Sequence, residues 1–177
     1  TLERRISMGN RAVITMTERD DSPAIYLQWN GGKDSIEGFL LAAKKFAEVR
    51  PVAMEGRLAC GPYLNEKKFM DEFAEMIGKH FFRKKVNTLH VYREEYGRAD
   101  TDNWDNGTYI INGLMEIVDR RYVPEGYTEE EDQEKTIGIA LQIGESIDRQ
   151  NKIDYAHAAG ALRVAQRKAQ VKSRRTL

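Results

Sequence analysis

An α+β fold is what the sequence predicts: a mostly antiparallel sheet of four or five strands, helices packed on it, and a helical C-terminal third. Three observations lead there. Residues 11–16 and 24–29 are short runs rich in β-branched and aromatic side chains, separated by a polar stretch, as in an antiparallel hairpin. Two segments with three-and-four apolar spacing follow, and then a second group of β-type runs. From Thr128 onward the helical period dominates. With 177 residues, 41% hydrophobic and 32% charged, the chain has enough apolar surface for one ordinary core.

The elements are justified in order. Residues 1–7 precede Met8-Gly9-Asn10, which reads as a natural start, so they are expected to be a remnant or an upstream extension, with a single domain over 8–170 and a basic tail over 171–177. The Met-Gly pair does not mark a myristoylation site, because Val13 stands where that pattern needs Ser or Thr. After the first hairpin, Ser35 is expected to cap a helix whose Ile36, Phe39, Leu40, Ala43 and Phe46 form a buried stripe, ending near Arg50-Pro51. Residues 51–64, with two prolines and two glycines, read as a loop. Asn65 is the expected cap of a second helix with Phe69, Phe73, Ile77 and His80 or Phe81 on one face. Residues 88–93 and 108–112 read as strands joined in a hairpin by the Asp/Asn-rich loop 96–107. Residues 116–123 fit a fifth strand, while 114–118 also fit one helical turn. Thr128 begins an acidic first turn that suits a helix dipole, with Ile137, Ala140, Leu141, Gly144 and Ile147 or Asp148 continuing the stripe. A separate last helix from Ile153 carries Tyr155, Ala158, Ala159, Leu162, Ala165 and Ala169 on one face, small residues that predict close helix packing.

Charge and cysteine content narrow the class of function. Lys plus Arg and Asp plus Glu are 28 each, so no global field recruits nucleic acid or membrane, and such a partner needs a local patch. The basic end, Arg163, Arg167, Lys168, Lys172, Arg174 and Arg175, is a candidate for contacts to a nucleic-acid backbone, set against its reading as a solvated helix face. The single cysteine, Cys60, excludes an internal disulfide and a multi-cysteine zinc site. No apolar run approaches the roughly 18 residues of a membrane span, and a cytoplasmic location is expected.

The most specific local signal is that both tryptophans stand directly before a tight turn, in Trp29-Asn30-Gly31 and in Trp104-Asp105-Asn106-Gly107. Asn-Gly tips accept the positive φ that such turns require, so each ring is placed beside a rigid bend. Trp104, with Asp102, Asp105 and Asn106 around it, sits in a polar loop and is the better candidate for an exposed interaction surface. Trp29 shares strand parity with Ile25 and Leu27, which predicts burial. The acidic loop invites a calcium reading, but the liganding spacing of an EF-hand would put Trp104 at a ligand position, and no metal is expected. His80, His90 and His157 have no metal-binding spacing, and no cofactor is expected.

The segment Asn30-Gly31-Gly32-Lys33-Asp34-Ser35 resembles the Ser-Gly-Gly-x-Asp-Ser loop of the PP-loop ATP pyrophosphatases. That resemblance implies that Gly31, Gly32, Asp34 and Ser35 cradle pyrophosphate with Lys33 nearby. Asn30 departs from the pattern, and the preceding strand reads as a hairpin arm; a hairpin-to-helix turn is the competing structural reading. On a longer stretch, Met8–Ile14, Ile25–Gly32 and Ala99–Ile111 together resemble a group of small uncharacterised proteins carried by bacteriophages, plasmids and other mobile elements. That resemblance implies a non-catalytic accessory role in a bacterial host, such as binding and blocking a defence or regulatory protein. A nucleotide-binding enzyme and a nucleic-acid-binding protein are the alternatives.

Overall fold

Cross-strand partners on β1 (Ala12–Thr15) and β2 (Pro23–Leu27) sort the first hairpin into two faces, as period-two alternation requires. Ala12 pairs with Leu27 and Ile14 with Ile25, and all four enter the main core; Val13 pairs with Tyr26 on the opposite face. The computed structural model describes residues 10–46, 62–99, 105–123 and 132–175, and for 62–65 and 169–175 the backbone alone. Residues 1–7, Cys60, Asp102, Trp104 and the expected acidic turn at Thr128 lie outside the described residues.

The sheet has five strands in the order β3-β2-β1-β4-β5, with β3 at Val91–Glu95, β4 at Thr108–Ile111 and β5 at Ile117–Arg121. Three of its four pairings are antiparallel, and β1 with β4 is parallel. The expected hairpin between the third and fourth strands does not form. β3 takes the free edge of β2, while β4 pairs with β1, so two strands stand between β3 and β4. A four-residue turn of helix, α3 (Tyr96–Ala99), follows β3 and is caught by the β1–β2 loop, with Tyr96 N–H donating to Ser22 O at 2.8 Å and Gly97 N–H to Asp20 O at 3.0 Å. Alternating hydrophobicity identifies a strand but not its neighbour; what selects β1 for β4 is that both are buried along their whole length, at the centre of the sheet. Residues 117–121 are a strand, and the alternative of a helical turn is excluded by Asn112, whose Oδ1 accepts the N–H of Leu114 and of Glu116 at 3.0 Å to make a tight turn.

Helices α1 (Lys33–Lys45), α2 (Pro62–Met76) and α4 (Gln133–Arg175) supply the main core. α1 starts two residues before the expected cap: Gly32 is its N-cap and Ser35 is buried in the first turn. The reason is the bend at Gly31-Gly32, which already aims the chain into the helix, so that Gly32 O accepts Ser35 and Ile36 N–H at 3.0 Å. The helix ends at Lys45. Phe46 is 38% exposed rather than fully buried, and its ring lies over Gly144, where an added Cβ would come within 3.0 Å. α2 begins at Pro62, not after Asn65, because a proline at the first helical position loses no hydrogen bond. It passes into a π-helical stretch, Ile77–Phe82, closed by Arg83 at φ 56°. The wider turn brings two successive rings onto α1, Phe81 edge-on at 4.9 Å from Phe39 and Phe82 at 6.5 Å.

α4 is one helix of 43 residues where two were expected, capped by Asp132, whose Oδ1 accepts Lys135 N–H at 2.9 Å. Its buried side is Ile139, Ala140 and Ile143 with Ile147 at the margin, while Ile137 and Leu141 of the expected stripe are exposed. Gly38 of α1 explains the rotation. A Cβ there would stand 2.9 Å from Ile139, so the missing side chain lets α4 settle with Ile139 against α1. Between residues 151 and 168 every side chain but that of Ala159 is exposed, and the helix leaves the body at about Gln150.

Candidate functional site

Three segments distant in sequence meet at one end of the sheet: Asn10-Arg11 before β1, Trp29-Asn30-Gly31 after β2, and Asp105-Asn106-Gly107 before β4. The parallel β1–β4 pair makes this possible, since it places the entry to β4 beside the entry to β1 and the exit of the antiparallel β2. Asp105 Oδ2 accepts the Arg11 backbone N–H at 3.0 Å and its Nε–H at 3.1 Å. Asn106 is buried; its backbone N–H and its Nδ2 each donate to Arg11 O at 3.1 Å, and Nδ2 also donates to Asn10 Oδ1. Arg120 of β5 donates from Nε to Asn106 O at 2.9 Å and lays its guanidinium 4.6 Å from the Tyr109 ring centroid.

The second turn is locked to the same segment. Asn30 has φ 60°, and Gly31 N–H donates to Asn10 O at 2.7 Å. A Cβ on Gly31 would lie 2.6 Å from that of Ala12, so this position needs glycine for close backbone approach. The buried Tyr109 hydroxyl donates to Gly31 O at 2.9 Å and ties the β4 strand to the β2 exit. Trp29 stands on this fixed bend with 43% of its surface exposed, against the burial that strand parity predicts. The ladder explains the difference: β2 ends at Leu27, and although Gln28 N–H still reaches His90 O at 3.0 Å, the chain has left the pleat before Trp29.

Of the expected interaction residues, the structure therefore brings Trp29 and Asp105 to one end of the sheet, turns Asn106 inward, and leaves Asp102 and Trp104 outside the described residues. Asn10, Arg11, Tyr109 and Arg120 complete the cluster without having been singled out. No periodicity or spacing in the sequence marks them, since each acts through a partner at least 78 residues away or on another strand.

In the glycine-lysine loop, Ser35 is buried and Asp34 is 13% exposed on its side chain. Asp34 Oδ1 accepts Ser35 N–H at 2.7 Å, so the first turn of α1 already holds a carboxylate where an anion would be favoured. Its Oδ2 lies 2.7 Å from Lys135 Nζ, and Thr136 Oγ1 donates to Asp34 O at 3.0 Å. Lys33 Nζ is 3.8 Å from Glu37. The Lys135 and Thr136 contacts fasten α1 to the start of α4.

Among the described residues no group of three or more His, Cys, Asp or Glu side chains is placed to hold a metal ion. His80 Nδ1 lies 3.1 Å from Ser146 Oγ, and burial, with Lys79 adding to it, holds its pKa below the usual histidine range. His157, Arg163, Arg167 and Lys168 are exposed on the free part of α4; the side chains of Lys172, Arg174 and Arg175 lie outside the description. No helix among the described residues is long and apolar enough to cross a membrane.

Comparison with protein-family models, with curated proteins and with solved structures finds no match. Fold and site together define a single α+β domain with a mixed, mostly antiparallel sheet, a rigid cluster of turns at one sheet end and a long C-terminal helix.

Proposed function

We propose that this is a non-catalytic interaction protein of a bacterial mobile element, acting in the host cytoplasm by binding a host defence or regulatory protein through the surface around Trp29, Asp105 and the neighbouring Asp102–Trp104 segment. The observation that carries this reading is the exposure of Trp29 on a bend immobilised from three sides by Asn10, Ala12 and Tyr109. A large aromatic held on stiff backbone offers apolar contact with little ordering cost, which is the property of an interface hot spot. The test is capture of a partner from host lysate by the wild-type chain, followed by affinity measurement with that partner. Trp29→Ala and Trp104→Ala are each expected to weaken it at least tenfold while the thermal midpoint stays within a few degrees of wild type. Unchanged affinity in both variants overturns this site.

A second reading, nucleic-acid binding by the helical end, is favoured by the exposure of Arg163, Arg167 and Lys168 on one projecting helix. It requires salt-sensitive binding of duplex DNA or RNA whose salt slope becomes shallower in a chain ending before Arg163. A truncated chain that keeps full affinity excludes it.

A further inference from the structure

α4 extends from Gln150 to Arg175, a length of about 39 Å at the helical rise of roughly 1.5 Å per residue, and between 151 and 168 it is exposed at every side chain but that of Ala159. The large apolar side chains described on it are not covered: Tyr155 is 78% and Leu162 61% exposed, with Ile153 and Val164 also half bare. Tyr155, Ala158, Leu162 and Ala165, with Ala169 next in position, follow a three-four-three-four spacing, the seam of a two-helix coiled coil. Arg163 and Arg167 fall on the opposite side of the helix, so a phosphate backbone held by them would leave the apolar seam bare.

Charge is segregated along the chain. Seven of its 28 basic residues but one of its 28 acidic residues, Asp154, lie in 150–177, which leaves 21 basic and 27 acidic residues before them. All six charges between 163 and 175 are positive. Two such helices in parallel register would stack like charge on like and set Tyr155 on Tyr155 and Leu162 on Leu162. In antiparallel register, with the two-fold axis level with Gly160, Tyr155 of one copy meets Ala165 of the other, and Leu162 meets Ala158. Each layer then combines a large with a small side chain, and Asp154 of one copy stands opposite Lys168 of the other. Each basic end also runs toward the more acidic body of the other copy.

We infer that the projecting half of α4 is a self-association surface that pairs antiparallel with a second copy of this chain. This inference is independent of the Trp29 surface. Light scattering and sedimentation of the full chain over a concentration series are expected to give twice the 20.3 kDa chain mass at the upper end. Leu162→Glu, a change outside the packed body, should raise the dimer dissociation constant on the order of tenfold or more. The thermal midpoint of the body serves as the folding control. Orientation is read by a charge exchange: Asp154→Lys weakens the dimer, and Asp154→Lys with Lys168→Asp restores it, which an in-register parallel pair does not do. A monomer at every concentration, a dimer indifferent to Leu162→Glu, or a double variant no tighter than the single one overturns the inference. If the chain is monomeric but captures an acidic protein helix or nucleic acid on this segment, the occupant is that molecule and the self-association reading fails.

Discussion

The Tyr109 hydroxyl donates to the Gly31 carbonyl at 2.9 Å, fully buried and across 78 residues of sequence. The bond joins the strand that follows one tryptophan turn to the backbone of the other, and with the Asp105–Arg11 pair it makes the two turns one rigid unit. The stiffness on which the Trp29 surface depends is therefore a tertiary property.

Removing that hydroxyl tests it directly. Tyr109→Phe keeps the ring beneath Arg120 but leaves Gly31 O without its buried donor, and is expected to cost about 1–3 kcal/mol in urea unfolding. A loss below a few tenths would show that the carbonyl is satisfied otherwise.

Glycines separate by environment. Gly31→Ala must displace β1, since its Cβ would stand 2.6 Å from that of Ala12, and should destabilise by about 1–3 kcal/mol. Gly138 in α4 has nothing within 4 Å of an added Cβ, so Gly138→Ala is expected to stabilise by roughly 0.5–1 kcal/mol through helix propensity. Thermal midpoints moving in opposite directions check both at once.

Acidification acts through His80. Its folded-state pKa is lowered by burial and by Lys79, so the unfolded chain takes up a proton at higher pH than the folded one. This contribution to stability is complete above the ordinary histidine pKa of about 6.5 and is lost as pH falls through it toward the lowered folded value. The urea midpoint should drop between neutral pH and pH 5, and His80→Gln should flatten that part of the profile. An identical profile in the variant would assign the drop to other groups.

Asp34 distinguishes a structural loop from a phosphate loop. Asp34→Ala removes the Lys135 pair and the carboxylate at the start of α1, and is expected to cost about 1 kcal/mol. Calorimetric titration of the wild type with ATP and magnesium is expected to show no binding. Micromolar binding abolished by both Lys33→Ala and Asp34→Ala would restore the nucleotide reading.

Much of the secondary structure is visible in residue order because its causes are local. Alternation in 11–16 and 24–29 matches the hairpin, the stripe of Ile36, Phe39 and Ala43 matches α1, and all five strands lie within the expected segments or beside them. The errors fall where a distant contact decides. Ser35 is a good cap by type, but the Gly31 bend against β1 starts the helix earlier. Residues 96–107 look like a hairpin loop, yet β3 and β4 do not pair, because β2 and β1 stand between them in the sheet.

By itself the sequence determined the periodicities, the glycine positions that permit positive φ or close approach, and the charge carried by the last 28 residues, because each is a property of neighbours along the chain. Only the tertiary structure decided that Trp29 faces solvent, that Asn106 turns inward, that Asn10 and Arg11 bind two remote turns together, and that α4 between 151 and 168 is left exposed. Those outcomes depend on which strand edge is open and how closely two backbones approach, and such quantities exist only once the sheet has assembled.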